Sequence, residues 1–288
     1  MTQHFRFARL FAIGMAALIA APTWAQDGDP VTAAPAEAGS DTSSNNAQDL
    51  AKQLSNPVAS LISFPLQQNI DGGYGPDGDG LRLTTNIQPV VPISIGEKWN
   101  MISRTILPVI YQEGVTAQSA SESGLGDVTQ SLFFSPKEVG PSGIIWGVGP
   151  AFLVPTATDD ALGSEKWGAG PTAVVLKQSG HVTVGMLANH IWSFAGSDNR
   201  SDISSTFVQP FLSYTTPKAT TYTLNSETSY NWIADQWLIP VIVQMSQLTH
   251  IGKQPIQVGT GLKYYVVSPD GGPDWGIRFN LTFLFPKK

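Results

Sequence analysis

Outside the first 25 residues, three histidines could act as a general base beside a serine. They are His181, His190 and His250. Ser193 follows His190 by three positions and Asn189 precedes it directly, and a nucleophilic serine needs its base within hydrogen-bond reach. Residues 181–193 are predicted below to form a β-strand, and in a strand residues one or three positions apart point to opposite faces. A barrel enzyme of the phospholipase type is therefore the least favoured function, and no catalytic residue is predicted.

Two acidic clusters offer the oxygen ligands that calcium prefers. One cluster is Asp71, Asp77 and Asp79, and the other is Asp159, Asp160 and Glu165. The first lies in DGGYGPDGDG, which lacks the spacing and the closing Glu of an EF-hand loop. Solvated acidic loops explain both clusters better, so no metal site and no other cofactor are predicted.

Ionisable and amide side chains also fall inside segments that are predicted below to be strands. A charge that faces lipid costs about 2–4 kcal/mol at mid-membrane, so such residues are expected to face a wet interior. The predicted lumen-lining residues are Arg82, Asn86, Gln88, Arg104, Asp127, Asn225, Glu227, Lys263, Arg278 and Asn280. Both signs occur, which argues against strong charge selectivity. A salt-bridge network that only holds the barrel together is an equal alternative to a transport role.

Twelve segments of 10 to 13 residues, rich in β-branched and aromatic residues, are separated by clusters of Gly, Asp, Ser and Pro. Their length and their even number match the tilted strands of bacterial outer-membrane barrels. The segments are 58–68, 81–93, 99–111, 125–135, 144–156, 168–177, 181–193, 204–215, 219–231, 236–247, 255–266 and 275–285.

The last segment alternates most regularly. Trp275, Ile277, Phe279, Leu281, Phe283 and Phe285 share one face, while Gly276, Arg278, Asn280 and Thr282 share the other. Residues 256–264 and 221–232 alternate in the same way. A lipid-facing side and an interior-facing side explain this period of two.

The connections between the segments alternate in length, as the outer loops and periplasmic turns of such barrels do. Long polar connections are predicted at 69–80, 112–123, 157–167 and 195–203, with shorter ones between them. Most tryptophans fall near segment ends, where aromatic girdles meet the membrane interface.

Seven prolines inside the segments argue against simple strands, because proline cannot donate to a ladder. They are Pro65, Pro89, Pro108, Pro150, Pro171, Pro210 and Pro240. Bulges at these positions would reconcile them with a barrel. If the prolines end strands instead, the strand number falls or the fold becomes a soluble sandwich.

The first 25 residues have the features of a secretory signal peptide, with Arg6 and Arg9 ahead of an apolar stretch. Without them, 14 Lys and Arg remain against 22 Asp and Glu, a formal net charge of −8. That charge excludes nucleic acid as a predicted partner. The chain has no cysteine, so a disulfide scaffold and a thiolate metal site are excluded.

Residues 26–48 contain almost no large apolar residue and are predicted to be a disordered leader. Residues 49–57 are predicted to contain a short helix that ends before Pro57, and 58–288 form the barrel. Charged residues are 13% of the chain, about half of the usual ~25%. This weakly charged composition favours an all-β, antiparallel transmembrane barrel of about 12 strands with a short N-terminal disordered or helical segment.

Several stretches resemble a family of Gram-negative outer-membrane proteins. They include NPVASLISFPLQQN, NIQPVVPISIGEKWNMISRTILPVIYQ, GLGDVTQSLFFSPK, WGVGPAFLVPTATDDALGSEKWGAGPTAVVLKQ, LANHIWSFAG and QPFLSYTT. The family is named for transport in the meta-cleavage pathway of phenol degradation and is sometimes misnamed after neuromedin U. The resemblance covers the chain from Asp49 onward and implies an outer-membrane barrel that is associated by name with uptake of aromatic compounds.

The residues and the resemblance together predict a channel in the cell outer membrane for passive uptake of small solutes, including aromatic or hydrophobic compounds. A closed structural or adhesive barrel is the main alternative. The expected partners are outer-membrane lipid, a small solute, and the barrel assembly machinery through the C-terminal strand. The C-terminus departs from the usual pattern, because Phe285 is followed by Pro286 and two lysines.

Overall fold

The computed structural model describes residues 40–116 and 121–286. Their β-strands form one antiparallel sheet that closes on itself, since neighbouring strands pair all the way around the ring, including β9 (Val182–Gly196) with β10 (Ser204–Thr215) and the last strand with the first. The other strands are β1 (Ile62–Tyr74), β2 (Gly80–Ile87), β3 (Val90–Ile95), β4 (Trp99–Glu113), β5 (Ser121–Leu125), β6 (Val128–Pro136), β7 (Ile144–Val154), β8 (Lys166–Ser179), β11 (Thr220–Asn225), β12 (Thr228–Asn231), β13 (Gln236–Ile251), β14 (Gln254–Val267) and β15 (Trp275–Phe285).

These strands make twelve crossings of the barrel wall. Three crossings are interrupted in the middle, so that β2 continues into β3, β5 into β6, and β11 into β12. The predicted barrel of twelve antiparallel strands is thus confirmed. The first strand differs in its bounds, because β1 starts at Ile62 and continues to Tyr74, which leaves a shorter connection before β2 than predicted.

Side chains alternate between the interior and the exterior along the strands. In β15, Phe279 is 50% exposed, whereas Arg278 is 2% exposed. In β11, Tyr222 and Leu224 are exposed while Thr221 and Asn225 are buried. A strand has a side-chain period of two, so one face of each crossing is apolar and outward and the other faces the interior.

The prolines lie where the hydrogen-bond ladder is interrupted. Each break within a crossing faces a proline carbonyl on the neighbouring strand. Gln88 N donates to Pro65 O at 2.9 Å, Gly126 N to Pro108 O at 2.9 Å, and Ser226 N to Pro210 O at 3.2 Å. Each of these prolines, which lacks an N–H donor, therefore lies opposite a position where the neighbouring crossing has no regular ladder hydrogen bonds. The barrel accommodates them without ending a crossing.

Pro150 and Pro171 lie opposite each other on β7 and β8. Next to them, a Cβ on Gly149 or Gly170 would stand 1.8 Å from the carbonyl oxygen of Leu132 or His190. Glycine is required there because the neighbouring backbones approach so closely.

A helix, α1 (Ser40–Leu54), precedes the first strand. It is longer than the predicted helix and takes in residues 40–48, which the sequence predicted to be disordered. Tertiary packing stabilises it, because Ala47, Leu50, Ala51 and Leu54 recur at helical spacing and pack against Leu61, Ala219, Leu248 and Leu284. The predicted signal peptide and residues 26–39 lie outside the described residues.

The helix and the following residues 55–61 occupy the end of the barrel where the short turns lie. Gln178 Nε2 donates to Lys52 O at 2.9 Å, and Asn100 Nδ2 donates to Ser60 Oγ at 2.8 Å. Val58 is 5% exposed and packs with Ile102 and Phe133 in an apolar cluster. The N-terminal segment therefore packs inside the barrel at this end.

No helix among the described residues is long and apolar enough to cross a membrane.

Candidate solute pathway in the barrel interior

A cavity of about 560 Å³ lies inside the barrel. Its floor is made by residues of the N-terminal segment, including Leu54, Asn56 and Leu61. Its walls come from inward-facing side chains of β1 to β4, β6, β9 to β11 and β13 to β15. The volume lies within the roughly 300–1,000 Å³ of small-molecule sites.

The structure places seven of the ten predicted lumen residues on the cavity wall. These seven are Asn86, Gln88, Arg104, Asn225, Glu227, Arg278 and Asn280. The other three, Arg82, Asp127 and Lys263, make polar contacts nearer the loop end of the barrel. All ten were predicted to face the interior from the alternation of side chains along the strands, and seven of them line one cavity.

Arg278 and Glu227 form a bidentate ion pair on the cavity wall. Arg278 Nη1 and Nη2 donate to the two carboxylate oxygens of Glu227, each at 2.7 Å. Arg278 Nε donates to Asn69 Oδ1 at 2.7 Å. Paired N–H groups that meet both oxygens of a carboxylate fix its orientation. Glu227 sits in the break between β11 and β12, so the interrupted ladder presents this carboxylate to Arg278.

A second ion pair lies nearer the loop end. Lys263 Nζ donates to Asp71 Oδ1 at 2.6 Å, and Tyr265 Oη donates to the same oxygen at 2.9 Å. The side chains of Lys263 and Asp71 are 5% and 8% exposed. Asp71 thus lies inside the barrel and contacts a lysine, rather than joining Asp77 and Asp79 in an acidic loop.

Arg82 belongs to a third polar group. Its Nε donates to Gln112 Oε1 at 2.8 Å, and Gln112 Nε2 donates to Glu122 Oε2 at 2.9 Å. The guanidinium also lies over the ring of Tyr74, 4.8 Å from its centroid. These contacts link β1, β2, β4 and β5 on the inner face.

Asp127 holds the connection between β7 and β8 against the inner wall. Its carboxylate accepts from Ser164 N and Ser164 Oγ, each at 2.6 Å, and from Ala157 N at 3.2 Å. Leu162 of this connection is 8% exposed, and a Cβ on Gly124 would stand 3.3 Å from its Cδ1. Since Gly124 pairs with Ile110 of the inner face, the connection narrows the barrel at the loop end.

The same connection is tied to residues 197–203. Arg200 Nη2 donates to Asp160 O at 2.6 Å, and Arg200 Nε lies 3.3 Å from Glu165 Oε1. Lys166 Nζ donates to Asp202 at 3.0 Å. This hydrogen bond and the charge of Lys166 lower the pKa of the Asp202 carboxyl. Among the described residues, no three His, Asp or Glu side chains are grouped as metal ligands.

One side of the cavity is apolar, which the selection of polar residues missed. Val90, Leu187, Phe207 and Phe211 line the cavity and also belong to or pack against the cluster around Phe133. Leu187, Phe207 and Phe211 each lie two positions from an inward-facing polar residue of the same strand, Asn189 or Gln209. This spacing is the sequence signal that could have identified them as interior residues. The interior is therefore amphipathic, with ion pairs on one side and aliphatic and aromatic side chains on the other.

The histidine and serine that the enzyme alternative would require do not share a surface. His190 Nδ1 lies 2.7 Å from Thr206 Oγ1, and its ring contacts the ring of Trp192 in a tilted arrangement, with 4.0 Å between the centroids. Ser193 Oγ instead donates to Asp202 at 3.2 Å. His181 contacts Gln48 and Thr215 O at the opposite end of the barrel. In the described part of the chain, His190 and Ser193 lie on opposite faces of β9.

No protein-family model matches the chain, and no curated protein matches it in sequence. Solved structures do. An outer membrane channel from Pseudomonas putida F1 is similar with a TM-score of 0.62 and 13% identity, over 78% of this chain and 96% of that chain.

Two autotransporter barrels are less similar. The β domain of the Bordetella autotransporter BrkA has a TM-score of 0.45 and 10% identity over 78% of this chain and 100% of its own. The transport unit of AIDA-I from Escherichia coli has a TM-score of 0.43 and 10% identity over 85% of this chain and 97% of its own. The closed ring of twelve antiparallel strands, with an apolar exterior and an amphipathic interior, is the fold of an outer-membrane β-barrel and places the chain in that membrane.

Proposed function

We propose that this protein is an outer-membrane channel for the passive diffusion of small solutes. The observation that carries the proposal is the interior cavity of about 560 Å³ that the inward-facing side chains leave open. A barrel that served only as a scaffold could fill this space with side chains. Selection would be by size and polarity, because the connection held by Asp127 narrows the barrel at the loop end and the N-terminal segment forms the floor of the cavity.

The amphipathic lining supports solutes with an apolar part. Leu187, Phe207 and Phe211 offer an apolar surface beside the polar wall, and binding sites for small molecules combine such surfaces with a few placed polar groups. Aromatic or hydrophobic compounds, which the family resemblance implies, would fit this lining. We also propose that the barrel assembly machinery recognises β15, whose last residue is Phe285.

No enzymatic role is proposed. The side chains that could form a Ser, His and Asn triad are held apart on β9, and the solved channel from Pseudomonas putida F1 shares the barrel fold.

Single-channel recording of the refolded protein in a planar bilayer tests the channel. We expect discrete openings of lower conductance than those of 16- to 18-stranded porins, because twelve strands enclose a narrower interior. Thr223→Trp places a large ring on the cavity wall and should lower the conductance. Tyr222→Trp, one residue away on the exterior, is the matched control and should leave it unchanged.

Silence from protein that is shown to be folded by its heat-sensitive gel mobility would contradict the channel. The closed structural or adhesive barrel would then replace it. Equal conductance in the two tryptophan variants would show that current does not pass through this cavity.

A further inference from the structure

One arginine on the cavity wall lies too far from any carboxylate of the described residues to form an ion pair, although the charge of Glu227 acts on it at longer range. Among the described residues, the ion pairs join Lys166 to Asp202, Arg200 to Glu165, Lys263 to Asp71 and Arg278 to Glu227, and none includes Arg104. The hydrogen bond shown for its guanidinium runs from Nη2 to Gln88 Oε1 at 3.2 Å. A guanidinium carries five N–H donors, so most of those of Arg104 are free to meet a solute.

The nearby acid is already engaged. Glu227 lines the same cavity, and both of its carboxylate oxygens accept from Arg278 at 2.7 Å. The charged residues on the cavity wall are Arg104, Glu227 and Arg278. Since one carboxylate faces two guanidinium groups, the wall carries one net positive charge, and Arg104 is the arginine without a direct carboxylate contact.

Apolar surface lies close to this charge. Val90 of β3 is directly opposite Arg104 in the strand register, and residues in that relation have Cβ atoms about 5 Å apart. Val90 packs against the apolar cluster that contains Leu187, and Phe207 and Phe211 pack there too. One small molecule could therefore touch the guanidinium and the apolar side of the cavity together.

We propose that Arg104 binds the carboxylate of a small amphipathic monocarboxylate whose apolar body lies against Leu187, Phe207 and Phe211. A guanidinium presents parallel N–H groups that match the two oxygens of a carboxylate. The inference rests on the proposed channel and names the class of solute that the channel selects. The ion pairs elsewhere in the interior leave Arg104 as the anion-binding group of the cavity.

Equilibrium binding to the folded protein in detergent at pH 7 tests this site without requiring current. Isothermal titration calorimetry would compare benzoate with benzamide, which lacks the charge, and with acetate, which lacks the apolar body. We expect benzoate to bind about tenfold or more tightly than either, the gain of a charge-assisted hydrogen bond or of one buried ring. If the wild-type protein binds benzoate no more tightly than benzamide, the proposal is overturned.

Arg104→Met should abolish the preference for benzoate over benzamide, whereas Arg104→Lys should retain part of it. Lys253→Met removes the same charge from an exposed turn between β13 and β14 and is the matched control. An undiminished preference in Arg104→Met would overturn the assignment to Arg104. The wild-type comparison of ligands decides the question even if this variant does not fold.

The two proposals fail in different ways. Openings in the bilayer without a preference for benzoate would overturn the Arg104 site and leave the channel standing. Preferential binding of benzoate to a folded but silent barrel would contradict the channel and support the site.

Discussion

Arg278 and Lys263 show how this barrel keeps charges in its interior. Both are nearly inaccessible to water, and each meets a carboxylate at hydrogen-bond distance. A buried charge is tolerated when it is paired and hydrogen-bonded. Interior ion pairs, which the sequence analysis offered as an alternative to a transport role, are therefore present. The same barrel interior contains these ion pairs and the cavity.

The pair of Lys263 and Asp71 should be far more sensitive to mutation than a surface pair. Asp71→Asn leaves the lysine charge uncompensated at a site with 5% side-chain exposure. We expect the free energy of unfolding to fall by about 3–5 kcal/mol, measured by urea unfolding in lipid vesicles with tryptophan fluorescence.

Glu165→Gln is the control for this prediction, because it breaks the more exposed pair with Arg200. It should cost about 0.2–1 kcal/mol. The double variant Asp71→Asn, Lys263→Met should recover most of the lost stability, since it removes the uncompensated charge. Equal losses in Asp71→Asn and Glu165→Gln would contradict the buried pairing.

At the scale of elements, α1 lies outside the β-sheet and is held mainly by apolar packing, together with hydrogen bonds such as the one from Gln178 to Lys52 O. Ala51 is fully buried, and its neighbours Leu50 and Leu54 contact the turn end of the barrel. An isolated helix of this length is marginal in water. The packing therefore decides both that the helix forms and where it lies.

Ala51→Asp should detach α1 by placing a carboxylate in this apolar contact. We expect faster trypsin cleavage after Lys52 and a higher single-channel conductance, because α1 and residues 55–61 form the floor of the cavity.

Asp49→Ser changes an exposed residue of the same helix and serves as the control. Slow cleavage and unaltered conductance in Ala51→Asp would show that the helix is not held through Ala51.

For the whole molecule, the exterior is as informative as the cavity. Large apolar residues with substantial exposure encircle the barrel, among them Val243 at 59% and Leu262 at 68%. Tryptophans lie towards both ends, with Trp99 and Trp146 in edge-to-face contact at 5.8 Å and Trp232 near Tyr230 at 4.8 Å. This arrangement suits an apolar belt between two aromatic girdles.

Val243→Lys tests the belt. A lysine that faces lipid near the bilayer midplane should cost about 2–4 kcal/mol and lower the folded fraction at a given urea concentration, which gel mobility without heating reports.

Ser246→Lys lies on the same strand but lines the cavity, so the wet interior should tolerate it with little loss. A larger loss in Ser246→Lys than in Val243→Lys would reverse the assignment of the two faces of β13.

The sequence by itself determined the class of fold, the number of crossings and the face of many residues. These follow from the period of two within each strand, which is a local property of the chain. The regular alternation in β15 was enough to separate Phe279 from Arg278. The prolines could not be interpreted in this way, because their fit depends on breaks in neighbouring strands.

The tertiary structure alone decided which interior groups meet. Asp71 and Lys263 are 192 positions apart, and they pair because closure of the ring brings β1, β15 and β14 side by side. The inward position of residues 55–61 and the fold of the connection held by Asp127 have no periodic signal in the sequence. Contacts of this kind depend on the closed shape of the barrel, and local patterns do not contain that information.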